Sequence, residues 1–165
     1  MKYIAHYQSP LGGTLLAADE SGLTGLWFEG QKYFASRLES GHTERNMPVF
    51  DRTRKWLDIY FSGREPEFTP PVHMIGTPFQ ISVWKLLCRI PYGKTVTYGE
   101  IAAQIAVQRG LSSMSAQAVG GAVGRNHISL IVPCHRVVGT DKSLTGYAGG
   151  LERKKRLLLL ERADI

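Results

Sequence analysis

The stretch "IVPCHRVVG", residues 131–139, sets Cys134 beside His135 and Arg136 at the end of an apolar run and directly after Pro133. Three chemistries use a cysteine placed this way: a packed thiol, half of a metal site, or a nucleophile. A free thiol has a pKa near ~8.5, so only a few per cent is thiolate at neutral pH, and nucleophilic work needs a base or a positive field nearby. His135 is a candidate base and Arg136 adds charge. Neighbours on a regular strand point to opposite faces, so adjacency alone does not make a dyad. Pro133 breaks that regularity, and a turn there can bring the imidazole round, directly or through a water.

The rest of the composition narrows the choice. The chain has 165 residues, 43% of them hydrophobic, enough to bury a real core in one domain or two small lobes. Cys88 and Cys134 are the only cysteines, and no CxxC or HxxxH spacing occurs. That is neither a disulfide framework nor a zinc pattern, so no metal and no cofactor is expected. The N-terminal "MKYIAHYQSP" alternates apolar and polar residues, and apolar runs such as Leu157–Leu160 are too short to span a bilayer. A soluble, reducing, cytoplasmic setting with no membrane partner follows as the expectation.

Charge is unevenly spread. Residues 1–76 hold 8 basic and 9 acidic residues, net −1, whereas residues 77–165 hold 12 basic and 5 acidic, net +7. The half with Cys134 therefore carries all the positive excess, which suits a polyanion such as nucleic acid or simply a solvated surface.

Elements that would position these residues can be read along the chain. "KYIAHY", "TLLAA" and "LTGLWFEG", separated by turn residues, read as an antiparallel sheet. A helix is expected over residues 31–39, and a second over "MPVFDRTRKWLDIYFSG" with Phe50, Leu57, Tyr60 and Phe61 on one side and Gly63 as its stop. "REPEFTPPVH" (64–73) reads as a linker where the charge balance switches. Domains at 1–70 and 71–165 follow. Beyond it, Thr77 and Pro78 open a helix with Phe79, Val83, Leu86, Leu87 and Ile90 as its stripe, ended by Pro91, and Cys88 reads as a buried or half-buried structural thiol. Thr97 and Glu100 have capping-box spacing at the start of a short helix. After a turn, "SMSAQAVGGAVGRN" gives a second short helix, and the pair suggests helix-turn-helix in the basic half. Its small residues suit close approach of another body, a neighbouring helix or a DNA strand. "ISLIVP" reads as a strand, "GTDKSLTGYAGG" as a loop, and the last segment as a helix packing Leu151, Leu157, Leu158 and Leu160, with Glu161 on its last turn.

The motif "IVPCHRVVG" closely resembles the active-site segment of the O6-alkylguanine-DNA alkyltransferases, which repair alkylated bases by suicide transfer to a cysteine. "TPFQISVWKLLCRIPYGKTVTYGEIA", "AVGGAVGRNHISLIVPCHRVVG" and "GYAGGLERKKRLLLLE" resemble family segments in family order, covering nearly all of residues 77–161. The resemblance implies an α+β fold: a small ribonuclease H-like lobe with an antiparallel sheet, then a mainly helical, winged-helix-like lobe. It implies Cys134 as alkyl acceptor, His135 as the base acting through water, and Glu161 as the carboxylate orienting that histidine. Asn126 is implied as the tie between recognition helix and active-site turn, and Tyr98 as hydrogen-bond donor to the base. Val137, Tyr147 and Ala148 are implied as pocket lining. The partner implied is double-stranded DNA with alkylated guanine flipped out of the stack, O4-alkylthymine being open, and the expected state is a monomer. A minor-groove reading of DNA fits the small residues Ala116, Ala118, Gly120, Gly121 and Ala122, with Arg125 and Arg136 expected at the DNA. Family members usually carry arginine where Gln117 stands, and the turn before it looks a few residues longer; the expectation is that flipping is less well supported here or that Arg109 or Arg125 takes part of the gap-filling role. Two other readings share parts of this pattern: a turning-over cysteine hydrolase, and a lesion-binding protein with weak or no transfer.

Overall fold

The structure is a computed structural model and describes residues 2–35, 42–141 and 143–163. Its contacts resolve two compact units, one running to Ile75 and completed by His127–Ile131, the other formed by Gly76–Asn126 and the chain from Val132 onward.

In the first unit, β1 (Tyr3–Ser9), β2 (Gly12–Asp19) and β3 (Gly22–Phe28) form an antiparallel meander. A two-residue strand, β4 (Thr43–Glu44), adds to β1 in parallel, giving the order β3-β2-β1-β4. The second hairpin is fixed by Asp19, whose Oδ1 accepts from the Ser21 and Gly22 amides at 2.8 and 3.2 Å. Gly22 is required twice over: its φ is +152°, and a Cβ there would lie 2.7 Å from the Pro71 carbonyl oxygen. That approach lets the outer edge of β3 be closed by loop segments. Leu23 and Pro71 share a 2.8 Å backbone bond, and the Leu26 amide donates to the His127 carbonyl at 2.8 Å. An otherwise open strand edge is thereby covered.

Helix α1 (Pro48–Phe61) packs on this sheet, with Phe50, Leu57 and Tyr60 wholly buried, and stops at Gly63, which has φ +87°. The helix expected over 31–39 does not form where it is described. Residues 32–35 are turns, with Tyr33 and Ala35 at φ +60° and +55°, a left-handed backbone that helix excludes; the rest of that expectation lies outside the described residues.

The second unit holds α2 (Pro78–Leu87), α3 (Tyr98–Gln108), α4 (Ala116–Gly124) and α5 (Leu151–Leu160). Short strands β5 (Val96–Thr97) and β6 (Val137–Val138) pair in parallel between them. Each of the first three helices has a side-chain cap, two of them at the positions the sequence marks, Thr77 and Thr97. Thr77 and Gln80 form a reciprocal capping box, Thr97 Oγ1 accepts from the Glu100 amide at 3.1 Å, and Ser115 Oγ accepts from the Ala118 amide at 3.2 Å. Helix α3 ends in a Schellman motif: Gly110, at φ +66°, donates to Val107 and Leu111 donates to Ala106. The buried Trp84 indole donates to the Ala122 carbonyl at 2.8 Å, pinning α2 to α4.

Three local expectations fail here. Cys88 caps the end of α2 and is exposed, because the stripe of that helix turns inward at Val83, Trp84 and Leu87 and leaves position 88 outside. Leu151, in the first turn of α5, is 50% exposed, and its expected place in the stripe is taken by the fully buried Lys154. "ISLIVP" is no strand. Ile128 makes one bridge to Leu26, and then Leu130 at φ +71° and Pro133 at φ −81°, ψ 66° each centre a three-residue turn, with Ile131 donating to Ser129 and Cys134 to Val132 at 2.8 Å. No helix among the described residues is long and apolar enough to cross a membrane.

Candidate active site

Cys134, His135 and Arg136 form one 3-10 turn immediately after Pro133. Successive side chains in such a turn diverge by roughly 120°, so the three point to different surroundings. The Cys134 sulfur is buried and receives the Asn126 side-chain amide at 3.3 Å; the same Nδ2 donates to the Val132 carbonyl at 2.9 Å. Asn126 and Val132 are the residues at which the chain leaves and re-enters this unit. One amide thus ties the end of the α4 segment to the nucleophile turn.

His135 and Arg136 both reach Glu161, the cap residue of α5. His135 Nε2 lies 2.6 Å from Glu161 Oε2, and both side chains are fully buried. Since the carboxylate can only accept, Nε2 carries the proton and the neutral ring keeps its lone pair on Nδ1. Arg136 donates from Nε to Oε1 at 2.9 Å, from Nη2 to Oε2 at 3.2 Å, and from Nη1 to the Ile90 carbonyl at 2.8 Å. The Gly93 amide adds a fourth bond, to Oε1, at 3.0 Å. Gly93, at φ +78°, is where the chain after α2 bends to deliver that amide. Arg136 was expected at the DNA surface; its guanidinium is instead committed to the interior, because a buried carboxylate needs a compensating charge more than an exposed phosphate does.

The electrostatics follow from this wiring. Burial alone would raise the Glu161 carboxyl, but His135 and Arg136 outweigh it and hold the group well below the usual carboxylate range. Burial holds the His135 imidazole below its ordinary value, against the pull of Glu161, so the ring is poised neutral. Burial pushes the Cys134 thiol up, opposed by the Asn126 hydrogen bond and the charge of Lys154. The arrangement is a protonated thiol, a neutral imidazole able to take a proton on Nδ1, and an ionised carboxylate orienting that imidazole.

Around this centre the other expected residues are sorted. Val137 is fully buried beside the nucleophile turn, while Tyr147 and Ala148 are half-buried in the loop before α5. Tyr98, the first residue of α3, points its hydroxyl at that loop and donates to the Thr145 and Gly146 carbonyls at 3.1 and 3.3 Å. On α4, Ala116, Gln117, Ala118, Gly121 and the following Arg125 are exposed, Gly120 is half-buried, and Ala122 is buried beneath them. An added Cβ at Gly121 would meet nothing within 4 Å, so the outer surface of this helix is bare. Arg109, at the end of α3, lies over the Phe79 ring at 5.1 Å. Lys154 escaped the sequence reading although a signal existed: it sits three residues before Leu157 and four before Leu158, inside the buried stripe of α5. Among the described residues no group of three or more His, Cys, Asp or Glu side chains is placed to hold a metal ion.

A buried cysteine backed by a histidine–carboxylate pair, on a unit that also presents a bare helix after a turn, defines a protein with a cysteine nucleophile beside a helix-turn-helix. Comparison with known proteins names the family. Residues 2–74 match the model of the 6-O-methylguanine DNA methyltransferase ribonuclease-like domain, and residues 78–163 match that of the 6-O-methylguanine DNA methyltransferase DNA binding domain. The chain belongs to the 6-O-methylguanine DNA methyltransferase family. It is 45% identical to the methylated-DNA–protein-cysteine methyltransferase of Methanosarcina barkeri over 96% of each chain. The protein of that name from Haemophilus influenzae is 40% identical over 97% of this chain and 86% of its own length. Among solved structures, Mycobacterium tuberculosis OGT in complex with DNA superposes with a TM-score of 0.84 at 43% identity, covering 97% of this chain and 92% of that one.

Proposed function

We propose that this protein repairs O6-alkylguanine in double-stranded DNA by transferring the alkyl group irreversibly to Cys134. The observation that carries the proposal is the buried Cys134 next to a histidine whose Nε2 is fixed 2.6 Å from a buried carboxylate. The thiol proton passes through a water to His135 Nδ1, and Glu161 stabilises the imidazolium that forms. The sulfur lone pair attacks the alkyl carbon, an S–C bond forms as the C–O bond breaks, and the electron pair stays on the guanine oxygen. Tyr98 supplies a hydrogen bond to the departing base, which requires its hydroxyl to exchange the Thr145 and Gly146 carbonyls for the base. The thioether has no leaving group that water can displace, so each molecule acts once.

The exposed face of α4, with Gln117, Ala118, Gly121 and Arg125, is the surface that approaches DNA, and the target base reaches the pocket of Val137, Tyr147 and Ala148 only after leaving the stack, at a cost of a few kcal/mol. Gln117 is shorter than arginine and uncharged, so gap-filling is weaker here than with arginine. A monomer in the cytoplasm suffices for one-lesion, one-molecule chemistry. The test is intact mass after incubation with a short duplex carrying O6-methylguanine, with Cys134→Ser alongside. A gain of one methyl per chain, on Cys134 and absent from the variant, is expected. Duplex binding without any gain would instead identify a lesion-binding protein.

A further inference from the structure

The Arg136 guanidinium is held on more than its carboxylate side. Its edge is taken up by acceptors: Glu161 receives Nε and Nη2, and the Ile90 carbonyl receives Nη1 at 2.8 Å. Hydrogen bonds along the edge fix a planar cation within its own plane and oppose rocking out of it only weakly. The face of the cation is met by Tyr92, whose half-buried ring has its centre 5.7 Å from Arg136 Cζ. One short segment past α2 therefore serves both members of the pair: Ile90 and Tyr92 hold Arg136, and the Gly93 amide holds Glu161 Oε1. The consequence reaches His135 through the shared carboxylate, whose Oε2 is met by His135 Nε2 at 2.6 Å and by Arg136 Nη2 at 3.2 Å. Burial holds the imidazole low; of the charges that face it, Glu161 pulls it up, and Arg136 and Lys154 push it down. Arg136 held tight on Oε2 thus keeps the carboxylate from drawing a second proton onto the ring, and Nδ1 stays free for the proton of Cys134.

We propose that Tyr92 is a positioning residue for the transfer: its ring fixes the Arg136 guanidinium against Glu161 and so keeps His135 available as a base in mildly acidic solution. The role rests on the alkyl-transfer reading above and adds a residue to it. Tyr92 acts through Arg136 and takes no part in proton movement itself. What it contributes is the negative face of its π system, so a phenylalanine ring suffices and an aliphatic side chain of similar bulk does not. Without that face the guanidinium rocks away from Oε2, the carboxylate charge falls more fully on the imidazole, and the ring takes up a proton at higher pH.

Single-turnover methyl transfer from the O6-methylguanine duplex between pH 5 and 8, with nitrogen NMR of the His135 imidazole over the same range, tests this in Tyr92→Leu and Tyr92→Phe. In Tyr92→Leu the acid limb of the rate and the His135 titration are both expected to move up by about half a pH unit. Transfer then falls about threefold at the acid end and returns to the wild-type rate at pH 8. Tyr92→Phe stays on the wild-type curve. A uniform loss in the Leu variant, with limb and imidazole unmoved, would make Tyr92 a packing residue and overturn the proposal. If the Leu variant does not fold, phenylalanines carrying one, two and three ring fluorines at position 92 keep the shape and weaken the π face stepwise. The His135 titration must climb along that series, and a flat response sinks the idea. Should the wild type gain no methyl, the alkyl-transfer reading falls and the role in transfer with it, while the imidazole titration still reports the coupling of Tyr92 to His135.

Discussion

The two units treat charged side chains in opposite ways. The first keeps its ionic pairs at the surface: Arg54 with Asp51 at 3.3 Å, and His73 with Asp19 at 2.6 Å, each with a well-exposed partner. Among its described residues no Asp, Glu, Lys or Arg is buried: Leu16, Leu23, Leu26, Phe28 and Phe50 fill the interior beside polar groups such as Thr14 and Thr53. The second unit buries Glu161, His135, Arg136 and Lys154 together around one sulfur. Well-packed apolar residues in place of a buried ionic cluster are often equally stable or more so. The contrast therefore separates a unit arranged for stability from one that gives up stability to hold charges where a reaction needs them.

Three changes break or sharpen that contrast, in descending size. Glu161→Gln removes the carboxylate charge, replaces one of two oxygens that accept four hydrogen bonds with an NH2 facing donors, and leaves Arg136 buried without its counter-charge. A loss of about 3–5 kcal/mol in the second unit is expected in denaturant titration, with methyl transfer reduced at least about a hundredfold. Acid gives the next effect. The Glu161 carboxyl titrates below its unfolded range, so its contribution is complete above about pH 5 and is lost as pH falls below the ordinary carboxylate value near ~4.5. Hydrogen exchange between pH 5 and 3 should show the second unit losing protection faster than the first. Asp19, also lowered but held by a partly exposed His73, gives the first unit a shallower limb of the same sign. Asp51→Ala, at an exposed pair, should cost below about 1 kcal/mol and leave the transfer rate unchanged in the mass assay; a large effect would erase the distinction between the units.

Much of the positioning framework is legible in the sequence because it is local. Thr77, Thr97 and Ser115 cap helices through amides three residues on, and Gly63 and Gly110 end helices by backbone freedom that only their own position requires. The failures are also physical. Residues 128–133 have strand composition, but the chain spends them on a bridge to β3 and two three-residue turns, which no periodicity announces. Cys88 follows the buried Leu87 directly and Leu151 stands one turn before the buried Lys154, yet both face outward, because which side of a helix is covered depends on what packs there.

The sequence by itself determined the family, the helices on either side of the Cys134 turn, and the caps at Thr77 and Thr97. Tertiary structure decided which charges are inside. Arg136 reads as a surface cation and is a clamp on Glu161 25 residues away; Gly93 delivers an amide to the same carboxylate across 68 residues. Lys154 stands among the basic residues of "LERKKR" and is wholly buried, its ammonium on the Val137 and Thr145 carbonyls. Capping and periodicity act over a few residues of chain, where sequence order is distance. Burial and charge pairing act through space between distant segments, so only the folded chain can assign them.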